Sequence, residues 1–429
     1  METPLTKNIK PHREYVSLQE YEKTGGYQSI RKALGKIAPK EIQDRVKQSK
    51  LRGRGGAGFV TGLKWSFVPM GDAAPYPKYL VANADEMEPG TFKDRLLMEG
   101  DPHQLIDGMI TAAYAIGANI GYIFIRWAYH LSQERLRQAI AEAYTVGYLG
   151  KNILNSGFDF DLHIHVSAGR YMCGEETGLL NAMESKRAMP RAKPPYPQTS
   201  GLWGKPTVVQ NVETLCNVPH IVVNGYEWYR ALSKTDDGGT KLYGASGRIK
   251  KPGIYELPMG TSAREIIEEH AGGMQDGFKL RGFMPGGASS PFMLPEHLDT
   301  PMDFENVSKV GSGLGTGTFI IVDDKTCPVG VAVNLQKFYA QESCGWCTPC
   351  RDGLPWLYNT LEAIENGRGR MSDINLLLQH CDLLTPGNTF CALAPGAVMA
   401  LGSALKYFRD EFDEHVNKQT CPYGNSRHG

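Results

Sequence analysis

Near the end of the chain runs Ser343-Cys344-Gly345-Trp346-Cys347-Thr348-Pro349-Cys350-Arg351, with three cysteines separated by two residues each. That spacing lets successive thiolates bend toward one inorganic centre. Zinc more often takes its ligands as two separated Cys-x-x-Cys pairs, because four tetrahedral positions are hard to reach from one run. Three cysteines in a row suit the corners of a 4Fe-4S cube, with a fourth thiolate from elsewhere. A zinc site and structural or redox cysteines are the alternatives. A disulfide framework needs an oxidising compartment, and nine cysteines in 429 residues, an odd number at low density, do not suggest one.

Two candidates compete for the fourth thiolate. Cys381 shares a helical stripe with Ile374, Leu377, Leu378 and Leu384, as a core residue does. Cys391 follows the loop Thr385-Pro386-Gly387-Asn388-Thr389-Phe390 and is expected to open the last helix, where the dipole favours a thiolate. Cys391 is therefore the expected ligand. Cys421 is expected to lie in a mobile polar tail.

Other stretches have nucleotide chemistry. Gly53-Arg54-Gly55-Gly56-Ala57-Gly58-Phe59 contains Gly-x-Gly-x-x-Gly, but a helix-like segment over 39–50 precedes it, where a dinucleotide fingerprint follows a strand. Lys64 just downstream strengthens the motif, since glycines admit a phosphate and a lysine neutralises it. Asn83-Ala84-Asp85-Glu86-Met87-Glu88-Pro89-Gly90 ends a short apolar run, and ligands bind at the carboxyl ends of strands in open α/β sheets. Carboxylates there repel phosphate but accept from ribose or ribityl hydroxyls. Ala168 to Gly178 again reads as strand, glycine turn and helix start, although Glu175 and Glu176 also suit a helix N-terminus. Residues 189–206 form a long proline-rich loop, of a kind that is usually functional.

These motifs need elements to hold them. Strands are expected over 78–84, 122–126 and 161–166, with helices over 105–116 and 132–144, an alternation that argues for a parallel sheet covered by helices. A smaller α+β unit follows from about residue 241, with a hairpin over 247–257, a helix over 261–271 and a strand over 319–323. From Cys327 onward the pattern is helical, over 328–342, 351–366, 371–384 and 391–417, and reads as a bundle. Lys plus Arg and Asp plus Glu are 46 each, which argues against nucleic acid or an anionic membrane surface as partner. No apolar run is long enough to span a bilayer, and the N-terminus lacks a secretory pattern.

Taken together, Gly53 to Trp65, Asn83 to Arg95, Gly174 to Gly178, Pro206 to Leu215, Ser343 to Arg351 and Thr389-Phe390-Cys391 resemble the NADH-binding flavoprotein subunit of respiratory complex I. The resemblance implies a Rossmann-like FMN domain over 1–240, a ubiquitin-like β-grasp domain over 241–326, and a C-terminal four-helix bundle over 327–429. The bundle would hold a 4Fe-4S cluster on Cys344, Cys347, Cys350 and Cys391. It implies an FMN site formed by Gly55, Gly56, Lys64, Asn83, Asp85, Tyr171, Gly174, Glu175, Gln210 and Asn211, with Glu86 and Thr214 in the same motifs. NADH would stack over Phe59 and Phe67, near Glu88, Glu176, Lys193 and Tyr196. Glu88 is the candidate catalytic residue, a carboxylate able to shape the nicotinamide site. Tyr196 stands where such proteins usually carry phenylalanine, Gln210 where asparagine is common, and Trp127-Ala128 where glycine-glutamate is usual. The implied partners are a small 2Fe-2S subunit and a large multi-cluster subunit, in a peripheral arm on the cytoplasmic side of a membrane. Related chains of soluble NAD-linked hydrogenases and formate dehydrogenases share the motifs, so a diaphorase is the rival enzyme, and a zinc-binding assembly subunit the non-enzymatic one.

Overall fold

The computed structural model of the protein describes residues 2–424. The chain divides into two compact units, one built from residues up to 87, 92–243 and 254–261, the other from 88–91, 244–253 and 262 onward.

The first unit is organised by four parallel strands, β1 (Tyr79–Ala84), β2 (Ile120–Ile125), β3 (Asp161–Val166) and β4 (Thr207–Asn211). They lie in the order β3-β2-β1-β4. Val81 pairs with Tyr122 on one side and Val209 on the other. The central strand is apolar on both faces, as a sheet covered by helices requires. Leu80, Ala82 and Ala84 enter the main core beside the helices Pro102–Ile116 and Val212–Asn224. Tyr79 and Val81 enter a smaller cluster with Leu179, Leu180 and Met183 of the helix Glu176–Met183. A Cβ on Gly108 would sit 2.1 Å from the Leu215 carbonyl oxygen, so the two long helices cross where only glycine fits. The expected alternation of strands and helices is present. A helix, Pro39–Gln48, precedes the glycine loop, as its charge pattern suggested.

A second sheet is mixed. It contains β5 (Thr240–Ser246), β6 (Gly253–Pro258), β7 (Leu280–Met284) and β8 (Thr318–Asp323), in the order β6-β5-β8-β7. β5 runs parallel to β8, and β7 antiparallel to it. The expected hairpin is displaced. Gly247 has φ +127°, a conformation foreign to a strand interior, so residues 247–252 are its turn and not its first strand. The Gly311 to Gly317 run is a turn before β8, as expected.

The C-terminal region is helical over Pro328–Glu342, Thr348–Glu365, Met371–Leu383, Leu393–Tyr407 and Arg409–Lys418. The last expected helix is two, because Phe408 leaves the helical conformation (φ −120°, ψ 29°). Leu357, Leu361, Ile374, Leu377, Leu401 and Phe412 are buried among them. Cys381 is buried on its expected stripe with Ile374, Leu377 and Leu384, whereas Leu378, placed on the same stripe, is exposed. Cys391 does not open a helix. Ala392 is the cap of Leu393–Tyr407, and Cys391 lies in the turn before it. Nor does Cys421 lie in a loose tail, for it is only 3% exposed. Its polar neighbours in the chain concealed a tertiary contact.

Candidate functional site

The carboxyl ends of β1 and β4 carry the residues expected at a nucleotide site. Asn83 Nδ2 donates to the Gly174 carbonyl oxygen at 2.8 Å, joining the end of β1 to the short helical turn Tyr171–Gly174. The Asp85 amide donates to Asn83 Oδ1 at 3.3 Å, and the Asp85 carboxylate is buried. Tyr171 and Gly174 are half-buried. Gln210 is buried, with its Nε2 3.5 Å from Thr61 Oγ1. The glycine loop approaches from the other side. A Cβ on Gly55 would lie 3.0 Å from the Asn211 Cβ, whereas one on Gly56, at φ +125°, would meet nothing within 4 Å. The backbone thus leaves open space at Gly56, in a conformation that side-chain-bearing residues avoid.

Lysines and glutamates line the next part. Lys64 Nζ lies 2.7 Å from Glu176 Oε2 and 2.9 Å from the Val209 carbonyl oxygen. Lys193 pairs with the same Glu176. Burial alone would raise the Glu176 carboxyl, but Lys64 and Lys193 hold it below its ordinary value. Lys193 also lies 3.9 Å from Glu175 Oε1, so the two lysines are balanced by two carboxylates. Phe59 and Phe67 stand half exposed with ring centroids 6.4 Å apart, and Tyr196 is exposed. Trp127, at the departure noted after β2, is exposed too.

Several expected ligands have structural duties. Glu175 caps the helix Glu176–Met183, its Oε2 accepting from the amides of Thr177 and Gly178 at 2.9 and 2.7 Å. Glu86 Oε1 accepts from the amides of Lys93 and Asp94, both at 2.9 Å, at the start of the helix Lys93–Gly100. Burial, and then Asp94, push the Glu86 carboxyl up to about 7. Thr214 Oγ1 accepts from the Arg54 amide at 2.8 Å, fixing the glycine loop from below. Asn211 caps the helix Val212–Asn224 through Thr214 and donates to Asp94 Oδ2 at 2.7 Å. Glu88 belongs to the second unit, where its Oε1 accepts from the Ser289 amide at 2.7 Å.

Beneath the loops lies a buried ionic network that sequence reasoning did not single out. Glu213 Oε2 is 2.8 Å from both Lys93 Nζ and Lys241 Nζ. Burial would raise Glu213, but Lys241, Lys93 and Arg54 hold it at about 2. Burial draws Lys241 down to about 7 despite Glu213. Arg54 Nη2 donates to the carbonyl oxygens of Gly238 and Thr240 at 2.7 and 3.1 Å. Lys93, Asp94, Arg54 and Glu213 all lie in motifs quoted above, so proximity in the sequence pointed at them. Nothing near Lys241 did.

In the second unit the cysteine run winds around a helix start. Cys347 is the N-cap of Thr348–Glu365, with Pro349 behind it, and Cys350 lies in the first turn. Cys344 and Cys347 are half-buried and Cys350 buried. The Cys350 thiol is pushed up to about 12, first by burial and then by the neighbouring thiols of Cys347, Cys391 and Cys344. Cys391 therefore faces the same space as the run, although sequence separates it by 41 residues (391 − 350). Cys381 is raised by burial and by Asp382, with no other thiol among the causes. Trp346 and Phe390 pack edge to face over the group, centroids 6.0 Å apart. Four thiols at a helix N-terminus form a donor set suited to a 4Fe-4S cluster, whose charge the free amides favour. No helix among the described residues is long and apolar enough to cross a membrane.

Family models match both regions of the chain. A family model described as the Nuo51 FMN-binding domain matches residues 46–220. One described as the NADH-ubiquinone oxidoreductase-F iron-sulfur binding region matches residues 330–415. The F subunits of the NADH-quinone oxidoreductases of Salmonella typhimurium and Escherichia coli are each 55% identical over 423 residues, 99% of this chain and 94% of theirs. The F subunit of the Mycobacterium tuberculosis enzyme is 46% identical over 98% of this chain and 96% of its own. A solved structure of an NAD+-reducing [NiFe]-hydrogenase in the H2-reduced state superimposes with a TM-score of 0.81 at 34% identity, over 96% of this chain and 68% of that one. With relatives this similar over nearly the full length, the chain belongs to the family of NADH-quinone oxidoreductase F subunits, with an FMN-binding domain and an iron–sulfur-binding region.

Proposed function

We propose that the chain is the electron-input module of a respiratory complex I, oxidising NADH and feeding electrons toward quinone through partner subunits. The observation that carries the reading is the packing of Phe390 on Trp346, which brings Cys391 to the Cys344–Cys350 run at a helix N-terminus. When bound, FMN supplies a hydride acceptor and the 4Fe-4S cluster a one-electron acceptor, and the protein binds, aligns and tunes them. Gly55 and Gly56 leave the room a flavin phosphate and ribityl chain need, and Asn83, Asp85, Gln210 and Asn211 face it from the strand ends. Tyr171, Gly174 and Glu175 close the far side, with Glu86 and Thr214 fixing the loops behind. Lys64, Glu176 and Lys193 offer charged contacts to a nucleotide, and Phe59, Phe67 and Tyr196 supply flat apolar faces. Glu88 shapes the nicotinamide position.

The proposal extends to three domains over 1–240, 241–326 and 327–429, Rossmann-like, β-grasp and four-helix bundle in turn. The partners are a small 2Fe-2S subunit and a large multi-cluster subunit, in a peripheral arm on the cytoplasmic side. The test is NADH consumption by the anaerobically purified chain after flavin, iron and sulfide assays. The loaded chain should reduce ferricyanide, and should reduce a long-tailed quinone in liposomes only after the partners are added. No ferricyanide activity at full FMN and iron occupancy would refute the reading, and so would quinone reduction by the chain alone.

A further inference from the structure

We propose that the chain carries a second, mononuclear metal site, for zinc, formed by Cys327, Glu365, His415 and Cys421. The four ligand atoms lie within 4.8 Å of one another and all four residues are buried. They come from four places in the helical region. Cys327 caps the helix Pro328–Glu342, Glu365 ends Thr348–Glu365, His415 lies in Arg409–Lys418, and Cys421 follows that helix.

The distances have the pattern of a tetrahedron. Cys327 Sγ to Cys421 Sγ is 3.7 Å, Cys327 Sγ to His415 Nε2 is 3.3 Å, Cys327 Sγ to Glu365 Oε2 is 3.6 Å, and His415 Nε2 to Glu365 Oε2 is 3.2 Å. Around a zinc with Zn–S of about 2.3 Å and Zn–N or Zn–O of about 2.05 Å, the tetrahedral edges are about 3.8 Å for S–S, about 3.5 Å for S–N or S–O and about 3.3 Å for N–O. The 3.7 Å between the sulfurs is no covalent bond, since a disulfide needs about 2.05 Å.

The surroundings orient the donors. His415 Nδ1 is 2.6 Å from the Glu411 carbonyl oxygen, so that nitrogen carries the proton and Nε2 turns its lone pair to the cluster. The Gly330 amide donates to Cys327 Sγ at 3.2 Å, which fixes the thiol at the N-cap of the helix Pro328–Glu342. Gly367, at φ +70°, admits the returning chain. A Cβ there would stand 1.9 Å from the Gln419 carbonyl oxygen, two residues before Cys421. Two thiolates with an imidazole and a carboxylate form a donor set for zinc, and four protein ligands make the site closed and structural. Such a site would pin the helix Arg409–Lys418 and Cys421 beyond it to the start of Pro328–Glu342 and the end of Thr348–Glu365.

The test is metal analysis of the purified holoprotein, with its iron and FMN, isolated from cells grown with zinc and without chelator. About one zinc per chain is expected beyond the cluster iron, with two sulfurs at about 2.3 Å and two lighter ligands at about 2.05 Å in its X-ray absorption spectrum. Cys421→Ser should lower zinc occupancy at least about tenfold while FMN and iron per chain stay unchanged. The spectrum of the unmutated protein keeps the question answerable if that variant folds poorly. Absence of zinc, another metal on these ligands, a Cys327–Cys421 disulfide in the mass spectrum, or undiminished zinc in both Cys421→Ser and Cys327→Ser would overturn the proposal.

Discussion

His220 should make this fold acid-labile in a way that one substitution removes. It lies on the helix Val212–Asn224, whose N-terminus carries Asn211 and Glu213 beneath the glycine loop. Its Nε2 is 2.7 Å from Gln104 Oε1, and Gln104 Nε2 donates to the Leu5 carbonyl oxygen at 2.9 Å, so the amide oxygen must accept and Nε2 must carry the hydrogen. A second proton has to go to Nδ1, inside the core. Burial, then the charge of Lys7, lower the ring from 6.5 to about 3. A base whose folded-state pKa is depressed contributes stability above its unfolded value and loses it as pH falls. With those two values the loss is about 2 kcal/mol at pH 5 and about 3 kcal/mol at pH 4, within a ceiling of about 5 kcal/mol. That is a large fraction of the roughly 5–15 kcal/mol typical of a folded domain. Asp101, raised to about 7, and Asp107, raised to about 6, act in the opposite direction, since buried carboxyls gain as pH falls. The measurement is therefore a difference. Urea unfolding free energies of the unmutated chain and of His220→Gln, which keeps a donor for Gln104, should converge or cross as pH falls from about 7.5 to about 4, and the variant should retain FMN at the acid end longer. Parallel pH curves for the two proteins would refute the assignment of acid sensitivity to this ring.

Cys391→Ser should abolish the paramagnetic resonance signal of the reduced cluster and Cys381→Ser should preserve it; the reverse pattern would remove Cys391 from the ligand set. Gly56→Val places a branched side chain in open space at φ +125°, with strain of about 1–3 kcal/mol. The chain should fold but lose FMN, and a full complement of flavin by absorbance would show that the loop does not face the cofactor. Glu88→Gln should keep FMN and change the Michaelis constant for NADH more than the turnover number, because a charge that binds or repels nucleotide acts on the ground and transition states alike. Unchanged constants for NADH and NAD would take Glu88 out of the site.

Local pattern was enough for the features that depend on short range. The three cysteines at Cys344, Cys347 and Cys350 reach one centre because two intervening residues fix the distance between them. Three of the four parallel strands were legible because they carry apolar residues and alternate with helix-period segments, but β4 (Thr207–Asn211), which pairs with β1, was not expected. The stripe that buries Cys381 could be read from spacing alone. Interactions that join distant segments were not legible. The fourth thiol needed the turn before Leu393 to arrive opposite Cys350, and the expected helix start at Cys391 was displaced by two residues (393 − 391). Glu86 and Glu175 look like ligand carboxylates in a motif, but their oxygens cap helices, a duty visible only once the amides behind them are placed. Glu213 and Lys241 neutralise each other across 28 residues (241 − 213) in a place water does not reach. Cys421 sits among polar residues, so composition marks it as surface. Its burial beside Cys327, Glu365 and His415 is decided by how the last helix packs, because hydrophobic pattern reports which face of an element turns inward and carries no information on which side chains meet there.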